Sequence, residues 1–281
     1  MSPKPAADKG FIMSNDTSFI GNIPEHYDRG LGPVIFVDYG ADIAYRAAAC
    51  NPARLLETAA GTGIVTRQLR DLLPAGARLT ATDLNPPMLK VARAKFWPDE
   101  FVDFRPADAS AIPFADGSFD AVMCQFGVMF FPDRDKFYRE VHRVLAPGGR
   151  YLFNVWDAHR YNDFGRIAHD AAGSFFPVDP PQFYRVPFSY HQIDPIKESL
   201  IDAGFTDIDI AVLRLEKEIP DAALFAQGIV YGNPLIDQIR ERGGVDPDWV
   251  VNAVTQALRA EFGSDPGRMT LQAIIFSAGK R

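Results

Sequence analysis

The sequence predicts an α/β fold, a mostly parallel sheet with helices on both faces. Three observations predict it. Short apolar runs alternate with helix-period patterns between Arg54 and Trp156. A Gly-rich turn, Gly61-Thr62-Gly63, joins the first run to the first following helix. The chain has 281 residues and is 47% hydrophobic, ample for a single large core.

Each element has its own signal. Pro33 opens a helix pattern, with Val34, Val37, Ala41 and Ala44 at 3–4 spacing through Ala48. The period then changes at Arg54–Glu57, a buried-strand run, and changes back over Ile64–Leu73. Leu79–Thr82 reads as a second strand, and Pro86–Phe96 as a helix with proline at its start. Phe101–Arg105 and Phe119–Cys124 are the third and fourth strands. Pro132–Leu145 is helical and is closed by Ala146-Pro147-Gly148-Gly149; Arg150–Trp156 is the fifth strand. Strand–helix alternation of this kind places the loops that follow each strand on one common edge, where ligands bind.

The second half reads differently. Residues 157–192 are rich in Phe, Tyr and Pro and show no strand–helix rhythm. Ile193–Ala203 is a helix stopped by Gly204, and Phe205–Leu215 alternates as a strand. Residues 218–268 are helical in pieces, with Val251, Val254, Leu258 and Phe262 on one face. Thr270–Ser277 is a final strand. Residues 1–18 are small and polar and read as a disordered tail, leaving one domain over 19–281. Within it, 50–156 is the ligand-binding core, 157–192 and 218–268 are lid or substrate-side segments, and 193–217 and 269–281 form the sheet edge.

Charge and composition narrow the functions. The net charge of −7 and the lack of a Lys/Arg cluster disfavour nucleic acid and anionic membrane surfaces as partners. No run of about 18 apolar residues is present to span a membrane. Cys50 and Cys124 stand far apart and form no metal-ligand spacing, so no metal is expected. They read as reduced thiols of a cytoplasmic protein. The 22 Phe residues suit either a filled interior or an aromatic ligand cavity.

The strongest chemistry lies at Leu55-Leu56-Glu57-Thr58-Ala59-Ala60-Gly61-Thr62-Gly63. Small residues at 59, 61 and 63 let the backbone turn sharply off a strand and approach a ligand. The next helix offers free N–H groups at its start. Asp83 ends the following strand, where a carboxylate can accept hydrogen bonds from both hydroxyls of a ribose. A dinucleotide fingerprint would want Gly or Ala at 66, where the chain has Thr66. An acid before the loop and small residues at 59, 61 and 63 fit a methyl-donor site better.

The stretches LLETAAGTG, ATDLNPPML, ADASAIPFADGSFDAVMCQFGVMFFPD and REVHRVLAPGGRYLFNVWD resemble, in this order and spacing, class I S-adenosylmethionine-dependent methyltransferases. The resemblance is closest to the ubiquinone/menaquinone-pathway group. It covers roughly residues 20–156 and resumes near Ala203-Gly204-Phe205. It implies a Rossmann-like seven-stranded sheet whose last strand is antiparallel, with S-adenosylmethionine as cofactor. It further implies that Glu57, Thr58, Ala59, Gly61 and Gly63 hold the methionine end and that Asp83 binds the ribose. Leu84 and Met88 would flank the adenine, with Asp108 and the Ala109 N–H at its edge. Gln125 and Phe126 would line the methionine side, and Tyr27, in IPEHYDRG, would close over the donor. Ala59 departs from the family, where Gly is usual.

A sulfonium donor is already activated, so a dedicated base is optional. Of the five histidines, His159, after the fifth strand, and His26, beside Tyr27, are the weak base candidates. His142 lies in mid-helix and reads as structural. The expected acceptor is a small molecule, apolar or aromatic if Phe164, Phe175, Phe176, Phe183, Tyr184, Phe188, Tyr190, Phe225 and Tyr231 face the donor. They could equally pack the insertion onto the sheet. Two other readings stay open: a binder of S-adenosylmethionine that methylates nothing, and a nicotinamide-dependent oxidoreductase, which Thr66 and Glu57 disfavour. No motif names the acceptor atom, the oligomeric state or the pathway.

Overall fold

The computed structural model describes residues 17–281, so all but the last two residues of the expected 1–18 tail lie outside the described residues. The sheet has seven strands: β1 (Arg54–Thr58), β2 (Arg78–Asp83), β3 (Val102–Pro106), β4 (Phe119–Gln125), β5 (Leu145–Trp156), β6 (Thr206–Ile219) and β7 (Gly267–Gly279). Their order is β3-β2-β1-β4-β5-β7-β6. The first five run parallel, and β7 is antiparallel to both β5 and β6. The Rossmann-like sheet with an antiparallel last strand is therefore the fold. The order reverses between β1 and β4, the switch point at which the strand-end loops diverge and leave a crevice.

Residue chemistry accounts for the layers. β1, β4 and β5 bury both faces, so they read as near-continuous apolar runs, as parallel strands covered on both sides do. On one face, Leu55, Leu79, Ala121, Met123 and Leu152 pack with α2 (Val37–Ala49) and α3 (Ile64–Leu72) through Ile43, Ala44, Val65 and Leu69. Beside them, Ala81 and Phe104 receive Leu89 and Ala92 of α4 (Pro86–Arg93). On the other face, Leu56, Val122, Cys124 and Phe153 join a larger core with Phe137 and Val141 of α5 (Arg134–Val144) and Ile196 and Leu200 of α7 (Ile193–Asp202). Phe153 and Phe276, directly opposite across β5 and β7, stack with centroids 4.8 Å apart.

One expectation needs correction. Pro33 does not open the first helix. The chain is already helical from α1 (Ile23–His26), continues as a π-helical stretch over Tyr27–Phe36, and enters α2 with Pro33 inside the wide coil. Proline lacks the N–H that an α-helical turn needs, and the stretch passes through it in π geometry. Residues 157–192 hold no strand and one α-helix, α6 (Asp163–Gly173). Its start is set by a distant strand: the Asn162 amide donates to the Asp157 and Gln272 carbonyls at 3.0 Å each and its Oδ1 accepts from Gln272 N.

The helical pieces of 218–268 are α8 (Ala222–Tyr231), α9 (Leu235–Arg242) and α10 (Pro247–Phe262). Asp221 caps α8 by accepting from Ala223 N and Leu224 N, and Asp246 caps α10. With α6 and the π-helical stretch they form a cap beyond the C-terminal ends of the strands. β6 alternates half-buried and exposed residues along the sheet edge and carries Arg214, Glu216, Lys217 and Glu218, charges that disfavour pairing with another chain. Among the described residues, no helix is long and apolar enough to cross a membrane.

Candidate active site

The switch-point crevice is a cavity of about 270 Å³ between the strand ends and the cap. Its floor begins with the loop after β1. Ala59 adopts φ 51° and Gly61 φ 56°, the left-handed region that an alanine occupies only at a cost. The Ala59 methyl lies over Gly127, where any added Cβ would sit 2.7 Å from it. The missing side chain at 127 thus accommodates the departure at 59.

Asp83, buried at the end of β2, organises the middle of the wall. Its Oδ2 accepts from Gly61 N at 2.9 Å and its Oδ1 from Asn85 N at 2.8 Å. Desolvation raises its pKa, against the pull of those two backbone donors. Oδ1 also takes a longer bond from Asn85 Nδ2 at 3.4 Å, whereas Oδ2 retains a further lone pair for a hydroxyl. Asn85 also ties down the N-terminal strap: its Oδ1 accepts from Phe19 N at 3.1 Å and its Nδ2 donates to Thr17 O at 3.0 Å.

The remaining strand ends complete this half. Leu84 is 55% exposed and Met88 is buried, and both line the cavity. Asp108 accepts from Ser110 N at 2.8 Å and starts the turn that brings Ala109 to the wall. Gln125 donates to the Phe36 carbonyl at 3.3 Å. Phe126, at φ 49°, is held by Asn154, whose Oδ1 accepts its N–H at 3.0 Å. Its ring stacks on Trp156 with centroids 4.0 Å apart and 6° between the planes. Tyr27 stacks on Phe36 at 4.8 Å, and burial, then the nearby charges of Asp83 and Asp28, push its hydroxyl pKa up.

The structure separates the expected site residues into three sets. Tyr27, Ala59, Gly61, Asp83, Leu84, Met88, Asp108, Ala109, Gln125 and Phe126 line the one cavity. Glu57, Thr58 and Gly63 stand behind its wall. Glu57 Oε2 accepts from the Thr66 hydroxyl at 2.6 Å, and burial, opposed by that bond and assisted by the charge of Asp83, lifts its pKa to about 8. The Thr58 hydroxyl donates to Met123 O, and Gly63 is pressed against Ala92 of α4, where a Cβ would approach to 2.7 Å. His159 and His26 lie off the cavity. His159 donates to the Tyr184 carbonyl at 2.8 Å and packs on Phe188, while His26 stacks on Tyr231. Among the described residues, no group of His, Cys, Asp and Glu side chains is arranged to hold a metal.

Several wall residues escaped sequence reasoning. Asn85, Gly127, Phe130, Trp156 and Asn233 line the cavity. Asn85 precedes a Pro-started helix and Trp156 ends a strand, positions that mark them in hindsight. Asn233 carries no local signal. Of the nine cap aromatics, Phe164, Phe183, Tyr184 and Phe188 reach the cavity, and Phe175, Phe176, Tyr190, Phe225 and Tyr231 do not.

A switch-point cavity in a sheet of this topology, with a buried acid at the end of β2 and a left-handed loop after β1, is the arrangement of nucleoside-cofactor folds. A methyltransferase-domain family model matches residues 56–153. Demethylmenaquinone methyltransferase of Thermus thermophilus is 43% identical over 123 residues, covering 41% of this chain and 56% of that protein. The ubiquinone/menaquinone biosynthesis C-methyltransferase of Escherichia coli is 30% identical over 171 residues, covering 55% of this chain and 67% of that protein. Among solved structures, phosphoethanolamine N-methyltransferase 2 of Haemonchus contortus, in complex with S-adenosyl-L-methionine, superposes with a TM-score of 0.61 at 18% identity. That match covers 97% of this chain and 61% of that one, a likeness of fold. The chain belongs to the class I S-adenosylmethionine-dependent methyltransferases, close to the ubiquinone/menaquinone-pathway group. The cofactor of this family fits the donor set on the wall: an acid with a spare lone pair, a left-handed loop and flanking apolar side chains.

Proposed function

We propose that this chain transfers the methyl group of S-adenosylmethionine to a small apolar or aromatic acceptor. Continuity of the cavity carries this reading. One half is walled by the loop ends of β1 to β4, and the other by Phe126, Phe130, Trp156, Phe164 and Phe188, with nothing between them. In this reading Asp83 accepts from the ribose hydroxyls, Leu84 and Met88 flank the adenine, and Asp108 with the Ala109 N–H meets its edge. Ala59, Gly61, Gln125 and Phe126 surround the methionine side, and Tyr27 covers it. Glu57, Thr58 and Gly63 support the loop from behind.

S-adenosylmethionine supplies a methyl group already activated on a sulfonium. What the chain adds is alignment and exclusion of water, which lower the barrier without a proton transfer. The titratable residues on the wall are Tyr27, Asp83, Asp108 and Tyr184. Burial raises the pKa of both tyrosines, so neither is a base near neutral pH. The reading therefore favours acceptors that ionise readily or need no deprotonation. The similar proteins are named for quinone-pathway substrates, which makes two-ring aromatic compounds the first to screen. The unpaired thiols Cys50 and Cys124 fit a cytoplasmic setting.

Calorimetric titration with S-adenosylmethionine and S-adenosylhomocysteine, with NADPH as control, followed by an acceptor panel, tests the reading. Saturable binding of both sulfur nucleosides and methylation of an aromatic acceptor are expected. Binding of NADPH alone overturns it, and donor binding without turnover across the panel replaces it with a non-methylating binder.

A further inference from the structure

The aromatic half of the cavity has one polar spot. Of the wall residues that follow β5, Phe164, Phe183, Pro187 and Phe188 are apolar, and Tyr184 and Asn233 alone carry polar side chains. Both are buried, at 5% and 3% exposure. They meet each other and one carbonyl: Asn233 Nδ2 donates to the Tyr184 hydroxyl at 3.0 Å and to Ile229 O at 2.8 Å, and the Tyr184 hydroxyl donates to Ile229 O at 3.1 Å. Asn233 Oδ1 accepts from Leu235 N at 3.0 Å.

Counting hydrogens decides what the spot can still do. The pair owns three, two on the Asn233 amide and one on the Tyr184 hydroxyl, and all three are engaged within the protein. What remains are lone pairs, one on Asn233 Oδ1 and one on the Tyr184 oxygen. Each can only receive a hydrogen bond. Burial keeps the tyrosine hydroxyl protonated, so its oxygen does not become a donor-free phenolate.

We propose that Tyr184 and Asn233 form a specificity pole that selects acceptors carrying a hydroxyl or N–H on an otherwise apolar frame. This deepens the methyl-transfer reading and rests on it. A carbonyl, ether, carboxylate or phosphate at the same place would face oxygen lone pairs with no donor to meet them, and a buried polar group left unmatched is costly. A hydroxyl or N–H would complete the pair.

The test uses a matched pair of probes, 1-naphthol and 1-methoxynaphthalene, which share a ring system and differ in the donor hydrogen. Binding is read from fluorescence with S-adenosylhomocysteine present at saturation. The wild-type chain is expected to prefer 1-naphthol about tenfold, the ratio that one net hydrogen bond of about 1.4 kcal/mol supplies. Tyr184→Phe removes one lone-pair oxygen and frees one Asn233 N–H, so the preference should vanish or invert toward the ether. A cavity that merely lost packing would weaken both probes together. Asn233→Ala, checked for folding by its S-adenosylhomocysteine affinity, removes the other oxygen. No preference in the wild type, or one that survives both variants, overturns the proposal. Normal S-adenosylhomocysteine binding in those same samples would leave the donor half of the reading standing, and its absence in the wild type would be the failure of that reading instead.

Discussion

At the scale of single residues, the donor half works through groups whose environments oppose their ordinary behaviour. Asp83 is desolvated, yet two backbone N–H groups hold it in place. Asp83→Ala should weaken S-adenosylhomocysteine binding by about 1–3 kcal/mol, the loss of the hydroxyl contacts assigned to it; unchanged affinity by calorimetry would sink that assignment. Ala59 holds a left-handed backbone worth roughly 1–2 kcal/mol of strain, while glycine costs about 0.4–1 kcal/mol more to order. Ala59→Gly should therefore leave stability unchanged or raise it by up to about 1 kcal/mol in urea unfolding. In a buried helix position such as Ala47 the same change should cost about 1 kcal/mol. Glu57 supplies a pH signature. Its folded pKa of about 8 lies above the ordinary 4.5, so its contribution to stability is full below the ordinary value and is lost as pH rises toward 8. Glu57→Gln keeps an acceptor for Thr66 and removes the titration. The melting temperature of this variant should fall less than the wild type's between pH 5 and 8, and parallel curves would show that Glu57 is not the group responsible.

At the scale of elements, the wall of the cavity depends on one backbone-to-backbone contact. Gly30 of the π-helical stretch and Gly228 of α8 meet so closely that a Cβ on Gly228 would lie 2.7 Å from the Gly30 carbonyl carbon. The Lys95–Asp28 ion pair fastens the same stretch to the residues that follow α4. Together they set where Tyr27 sits. Gly228→Ala should destabilise the chain by about 1–3 kcal/mol through overpacking and also lower donor affinity, because the stretch must move away from the cap. A variant that unfolds early but binds S-adenosylhomocysteine normally would separate Tyr27 from the donor. Local signals read most elements to within a few residues, as Pro86 does at the start of α4 and Gly204 after α7. They failed at Pro33, where proline normally marks a helix start, and were silent at α6, whose first turn is held by a strand more than 100 residues away.

At the scale of the whole molecule, the half of the cavity proposed to hold the donor belongs to the sheet, and the half proposed to hold the acceptor mostly to the cap. A ligand that touches both should stabilise them together. At about 100 times its dissociation constant, S-adenosylhomocysteine should add about 2.7 kcal/mol and raise the melting temperature by several degrees in a single transition. Two transitions, with only one shifted, would mean that the cap melts independently of the sheet.

The sequence by itself determined the sheet, its strand-end loops and ten residues of the wall; all of these but Tyr27 sit within a few positions of a strand end, and the topology delivers strand ends to one place. Tertiary structure decided the rest. Glu57, Thr58 and Gly63 belong to the same motif as Gly61, but Glu57 is engaged by Thr66 of α3, Thr58 by the Met123 carbonyl of β4, and Gly63 is packed on Ala92 of α4, partners that lie 9 to 65 residues away in the chain. His159 and His26 are base candidates by position along the chain, and tertiary packing sets their rings on Phe188 and Tyr231, off the cavity lining. Tyr184 and Asn233 stand 49 residues apart and meet only when the cap folds, so no spacing in the chain could announce them. Local order encodes which backbone turns toward the crevice, whereas the chemistry of its aromatic half depends on long-range packing among segments that carry no shared pattern.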